Sequence, residues 1–265
     1  MALLSNFQSI EEAFAVLDYT EDLLPEAAIE FLQQQPTSPE IIDKIVFMIS
    51  NAFNSELFEG EYSAESETSG LSQEAPLWYA IVAENHLTPE LTPALTSALL
   101  PNKTEDSDWD WFNEQLFYLM GTLASKYPET VPLMVLEKVE EELKKPKPNE
   151  FLFFVFDAFY ALDLTVYGDR LLKILKNPKT SGAEMLGGIL ADINYKEALP
   201  AIRDLRDLAL LDLELGNASE FALNQLVIEY NEAIDILTGK KKPLMSDIYF
   251  RSRDHWKKHY QKYGD

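Results

Sequence analysis

The sequence predicts an all-α fold: an α-solenoid (alpha-alpha superhelix) of about five stacked helical hairpins with a basic C-terminal capping helix. Three observations predict it. Apolar residues recur at helical spacing along most of the chain, and no period-2 run bounded by turn signals interrupts them. One motif, a helix breaker followed by apolar residues at helical spacing, occurs five times. The stretch Gly182 to Leu205 reads as two short antiparallel helices joined at Asn194-Tyr195, and such a hairpin cannot bury both faces without stacked neighbours.

The elements follow in order from local punctuation. Ser9 and Glu12 form a capping-box pattern ahead of a short helix to Leu17 or Asp18. Pro25 suits the first turn of the next helix, to Gln34. Ser38-Pro39-Glu40 opens a third, with Ile41, Ile42, Ile45, Val46, Ile49 and Phe53 at helical spacing. Residues 54–74 are acidic and rich in Ser and Gly, so they read as a long loop or partly disordered insertion. Helices are expected over Ala75–His86, from Thr88-Pro89 to about Leu100, over Asp108–Tyr127 and from Pro128 to about Lys144. Pro146 and Pro148 end that run. Further helices follow over Phe151–Leu162 and Tyr167–Leu175. The hairpin of 182–205 carries two more capping-box patterns, Ser181 with Glu184 and Asn194 with Glu197. Asn217 with Glu220 opens a long helix that Gly239 stops, and 244–263 reads as a last, basic helix with Trp256, Tyr260 and Tyr263.

Composition sets the outer limits. The chain has 265 residues, 46% of them hydrophobic, enough for a sizeable core in one domain spanning 1–265. With no cysteine, disulfides and cysteine-based zinc or nucleophile chemistry are excluded, which fits a cytoplasmic protein. The N-terminal MALLSNFQSI lacks the basic and apolar regions of a secretory signal. No stretch approaches the roughly 20 apolar residues of a membrane span.

The formal net charge is −23, unevenly spread. Residues 240–265 hold eight Lys/Arg against three Asp/Glu, while residues 1–239 hold 14 against 42. An acidic body repels nucleic acid and anionic membranes; it favours a basic protein partner or serves solubility.

The five breaker-led motifs are Pro25-EAAIEFL, Pro93-ALTSALL, Pro132-LMVLEKV, Gly168-DRLLKIL and Pro200-AIRDLRD. Their successive intervals are 68, 39, 36 and 32 residues, and the first is lengthened by the 41–53 helix and the acidic insertion. This pattern resembles the HEAT-like, armadillo-type family of helical repeats, most closely over 182–206, then over 75–178 and 10–53. HEAT repeats carry their proline in the first helix and an Asp/Arg pair around the turn. Here the prolines start the second helices, Asp192 lies near the turn, and Arg203 and Arg206 follow it. The resemblance implies a right-handed superhelix acting as a protein-binding scaffold.

Catalytic and metal chemistry finds little purchase. His255 and His259 share a helical face, but no Glu follows His255 and no third ligand is identifiable. Asp106, Asp108 and Asp110 alternate like the start of a calcium loop, yet Trp111 replaces the turn glycine and Phe117 the bidentate Glu. These acids read better as the start of a helix. The di-iron hydroxylases of HEAT architecture use repeated His-Glu pairs, and this chain has none. The HEAT-like DNA glycosylases need a basic groove. His86, at a helix end, suits the negative pole of the dipole. Gly187-Gly188 reads as a close-packing device rather than a phosphate loop. No catalytic residue, cofactor or metal is therefore expected.

The expected function is a non-catalytic adaptor or an inhibitor of a basic protein, such as a nuclease. The alternative is a lyase or hydrolase using carboxylates in a solenoid groove. The candidate partner surface comprises the acidic run Glu59, Glu61, Glu65 and Glu67 with the aromatics Trp78, Trp109 and Trp111.

Overall fold

The computed structural model describes residues 7–20, 24–58, 71–99, 109–148, 152–216 and 220–243. All regular structure among them is helical. The chain divides into two compact units, residues 1–131 and 132–265. The first holds α1 (Ile10–Tyr19), α2 (Glu26–Gln33), α3 (Pro39–Ser50), α4 (Ser55–Phe58), α5 (Ala75–Val82), α6 (Thr92–Ala98) and α7 (Trp109–Lys126). The second is built from α8 (Val131–Lys144), α9 (Leu152–Phe159), α10 (Gly168–Leu175), α11 (Ala183–Asp192), α12 (Leu199–Leu215) and α13 (Glu220–Leu237).

Helix starts follow the sequence punctuation in most places. The Ser9 hydroxyl accepts the Glu12 N–H at 3.3 Å, and the Glu12 carboxylate accepts the Gln8 N–H at 2.8 Å. Ser38 caps α3 in the same way, with Pro39 in its first turn. All five breaker-led motifs open helices. Pro25 precedes α2, Gly168 begins α10, and Pro93, Pro132 and Pro200 lie in the first turns of α6, α8 and α12.

The two capping boxes expected in the 182–205 hairpin do not form. Gly182, at φ 73°, takes the N-cap of α11, and the Ser181 hydroxyl is buried with no hydrogen-bond partner. Asn194 ends α11 instead of starting a helix. It adopts φ 56°, and the Tyr195 N–H donates to the Leu190 carbonyl at 2.9 Å, a Schellman closure. Asparagine suits both an N-cap and a left-handed C-terminus, so its presence alone does not choose between them.

The 54–74 stretch is also more ordered at its ends than a free loop. Ser55–Phe58 is helical and Phe58 is buried. The Leu71 N–H donates to the Leu57 carbonyl at 3.0 Å, and the Ser72 N–H to the Asp18 carbonyl at 2.7 Å. The remainder, 59–70, and the expected basic helix of 244–263 lie outside the described residues.

Each unit is organised around a short, apolar helix. In the first it is α5, where Ala75, Pro76, Trp78, Tyr79, Ala80 and Val82 are all buried. A helix that is apolar nearly all round must be enclosed by neighbours, and α1, α2, α3 and α7 pack on it. Gln115 of α7 donates to the Ala80 carbonyl at 3.3 Å and to Glu84 at 2.7 Å. In the second unit the enclosed helix is α11, with Leu186, Gly187, Ile189, Leu190 and Ala191 buried against α9, α10 and α13. The expected α11–α12 hairpin exists as a turn, but both helices find their main partner in α13, through Leu223, Tyr230, Ala233, Ile234 and Leu237.

Two further contacts set the second unit's register. Arg170 of α10 grips Glu140 of α8 with Nε at 2.8 Å and Nη2 at 3.0 Å, and that hydrogen bonding holds the Glu140 carboxyl below its usual range. Tyr195 lies across the start of α10. A Cβ built on Gly168 would stand 2.2 Å from its ring, so only glycine permits the approach. The Tyr195 hydroxyl donates to Asp169, which pushes the phenol up to about 12.

Two outcomes are expected. Gly168→Ala should cost about 1–3 kcal/mol by overpacking, and adding Tyr195→Ala should recover part of it in a double-mutant cycle measured by urea unfolding. Burial raises the pKa of Glu84 above its unfolded value of 4.5. Folding therefore disfavours its ionised form, and stability should rise as pH falls from the folded pKa toward the unfolded one. Glu84→Gln keeps an acceptor for Gln115; it should raise stability at neutral pH, read as a higher urea midpoint, and flatten that part of the pH profile.

Candidate functional site

One concave feature of the first unit follows from how α1 and α3 meet α5. Both helices rest on α5. The space left between them is an open groove of about 860 Å³. Its apolar side chains are Phe14, Ala15 and Tyr19 of α1 and Phe47 of α3; Tyr19 is 57% exposed and Phe47 45%. Glu11, Glu40 and Asp43 line the acidic rim.

The floor is a buried polar network. Asp18 is 8% exposed and stands on the apolar face of α1, one turn after Phe14. Its carboxylate accepts from the Tyr79 hydroxyl at 2.8 Å and from the Lys44 ammonium at 2.8 Å. Burial and the neighbouring Asp18 charge push the Tyr79 phenol well above its ordinary value, so it remains a donor. The Lys44 ammonium also sits 5.7 Å from the centre of the Tyr79 ring. Three helices and the 71–74 segment thus converge on one aspartate. Among the described residues that line the groove, the four carboxylates of Glu11, Asp18, Glu40 and Asp43 face one ammonium, that of Lys44. An acidic rim around aromatic side chains complements a segment carrying both apolar and cationic groups.

The residues expected to form the partner surface are distributed differently. Glu59, Glu61, Glu65 and Glu67 lie outside the described residues. Trp78 belongs to the enclosed α5 and is only 7% exposed, with its indole N–H lacking a hydrogen-bond partner. Trp109 and Trp111 lie in the first turn of α7, and their side chains are outside the described ones. His255, His259, Asp106 and Asp108 also fall outside the described residues, whereas Asp110 lies in the first turn of α7. Among the described residues no group of three or more His, Asp or Glu is arranged to hold a metal ion, and no helix is long and apolar enough to cross a membrane.

His86 does meet a helix C-terminus, though by reaching across to another helix. Its Nε2 donates to the Leu32 carbonyl of α2 at 2.9 Å, and Nδ1 accepts from the Thr37 hydroxyl at 3.1 Å. The carbonyl partner requires the hydrogen on Nε2. The ring is 1% exposed and acts as a clasp between segments.

No protein-family model, curated protein or solved structure matches the chain. The groove therefore has to be read from its own chemistry. Sequence reasoning missed Asp18, Lys44 and Tyr79 as a group, since they are far apart in the chain. One signal was present: Asp18 occupies a core-facing position in the pattern set by Phe14 and Leu17.

Removing Asp18 leaves a buried phenol hydroxyl and a partly buried ammonium without their shared acceptor. Asp18→Ala should cost about 2–4 kcal/mol, read as a lower urea midpoint. His86→Ala should cost about 1–3 kcal/mol, and the two losses should add, because the sites share no hydrogen-bond partner.

Proposed function

We propose that the protein is a non-catalytic binding scaffold that recognises a basic protein partner, with the α1–α3 groove as its docking site. The observation that carries this reading is the combination of exposed Tyr19 and Phe47 with the rim of Glu11, Glu40 and Asp43. An amphipathic basic segment would bury its apolar side against the aromatics and set its Lys or Arg against the rim. The charge of the whole chain, −23, acts in the same direction by steering a cationic partner. An inhibitor or adaptor of a basic protein fits this chemistry.

HEAT-like stacking within each unit is the architecture we favour. Its support is that each breaker-led motif opens a helix and that neighbouring helices enclose the short α5 and α11. A cytoplasmic location agrees with the absence of cysteine, and neither nucleic acid nor a cofactor has a part in the reading.

The test is affinity capture from native lysate with the parent chain and with Glu40→Lys/Asp43→Lys, at low and near-physiological salt. A basic protein should be captured by the parent, weaken as salt rises, and weaken by at least about tenfold with the charge-reversed rim, the scale of losing about 1.4 kcal/mol. Equal capture by both chains, or no capture at either salt, would remove the groove from consideration.

A further inference from the structure

In the second unit, α12 buries only Ala201, Ile202 and Ala209 fully. On another face, Leu208, Leu211 and Leu215 are 56%, 48% and 63% exposed. Their spacing of three and four residues makes them one stripe along the helix. Asp204 continues the stripe toward the start of α12, Glu214 and Asp207 flank one side, and Asp212 borders the other; Asp207 is paired with Arg206.

The chain supplies a complement close by. Met245, Tyr249, Trp256, Tyr260 and Tyr263 fall on one face of a helix drawn over 244–263, Arg253 and Lys257 border that face, and Arg251, Lys258 and Lys262 fall on the opposite side. These residues lie outside the described ones, but the geometry leading to them is set. α12 and α13 have 17 and 18 residues, are joined across 216–219 and pack side by side, so the end of α13 lies near the start of α12. Past Gly239, at φ 78°, the Lys240 and Lys241 N–H groups donate to the Asp235 carbonyl at 2.8 and 3.1 Å. Their ammonium groups reach Asp235 and Glu232. The chain thus leaves α13 folded against its last turns.

We propose that residues 244–263 dock as a helix along the Leu208–Leu211–Leu215 stripe of α12. Such a helix spans about 30 Å and would run parallel to α12. With residue 244 level with the start of α12, equal rise per residue brings Trp256 level with Leu211 and Tyr260 level with Leu215. The aromatic face covers the leucines, Arg253 and Lys257 at its edge come nearest the acidic flank of α12, and Arg251, Lys258 and Lys262 face away from α12. A second copy of the chain is a poorer occupant, because it would bring the same acidic flanks against these. A segment tethered through Gly239 to Pro243 also has the advantage of a high effective concentration.

The chain has no cysteine, so introduced thiols report on one pair at a time. The full chain with Leu211→Cys/Trp256→Cys is oxidised alongside Leu211→Cys/Lys258→Cys, which moves the second thiol to the basic side. Docking predicts an intramolecular disulfide that forms at least about tenfold faster in the first pair, given the short Cβ separation a disulfide needs. Equal rates, no intramolecular disulfide, or a disulfide only between two chains would overturn it, the last outcome assigning the stripe to a second copy. Independently, Leu211→Asp changes a half-exposed residue and spares the core. It should speed tryptic cleavage after Lys257 and Lys258 by about tenfold through local opening; an unchanged rate would count equally against docking.

Discussion

Short helices are the constraint on which this structure rests. Isolated helices below about 12–15 residues are marginal in water. The helices at the centre of the two units, α5 and α11, have 8 and 10 residues. Neither could persist alone; each is apolar on almost every side and survives by being enclosed. The surrounding helices are held in turn by what they bury against these two. Fully buried Tyr79, Phe112, Phe156 and Phe159 carry much of that contact.

Enclosure of α5 also generates the groove. Two helices resting on one shorter helix leave a furrow between them, lined by side chains of α1 and α3. Beneath the furrow, fully buried Tyr79 brings a hydroxyl into the interior. Asp18 and Lys44 are the response: a buried donor needs an acceptor, and a buried carboxylate needs a cation. The binding reading thus grows from a packing necessity, with the acidic rim added on the solvent side.

Much of the helical pattern was legible in the chain because its signals are local. Ser9 with Glu12, Ser38 with Pro39, and the five breaker-led motifs act within one turn, and the structure uses each of them. The misreadings at Ser181 and Asn194 have a common cause. Small polar residues serve equally at helix starts, in turns and in left-handed positions, and the outcome depends on where the neighbouring helices require the chain to go. Tyr195 illustrates this. Its backbone closes α11, its ring covers Gly168, and its hydroxyl meets Asp169; a contact between residues so far apart leaves no periodic trace.

By itself, the sequence determined the helical class, most helix starts, the acidic body and the basic C-terminal stretch. Those follow from spacing, local hydrogen-bond chemistry and counted charges. The tertiary structure alone decided which helices are enclosed, that Trp78 is interior while Phe47 and Tyr19 remain open to solvent, and that Asp18, Lys44 and Tyr79 meet. It also left Leu208, Leu211 and Leu215 exposed on α12. The physical reason is that burial and buried pairing are properties of neighbours brought together by the fold, and apolar spacing marks a face without saying what will cover it.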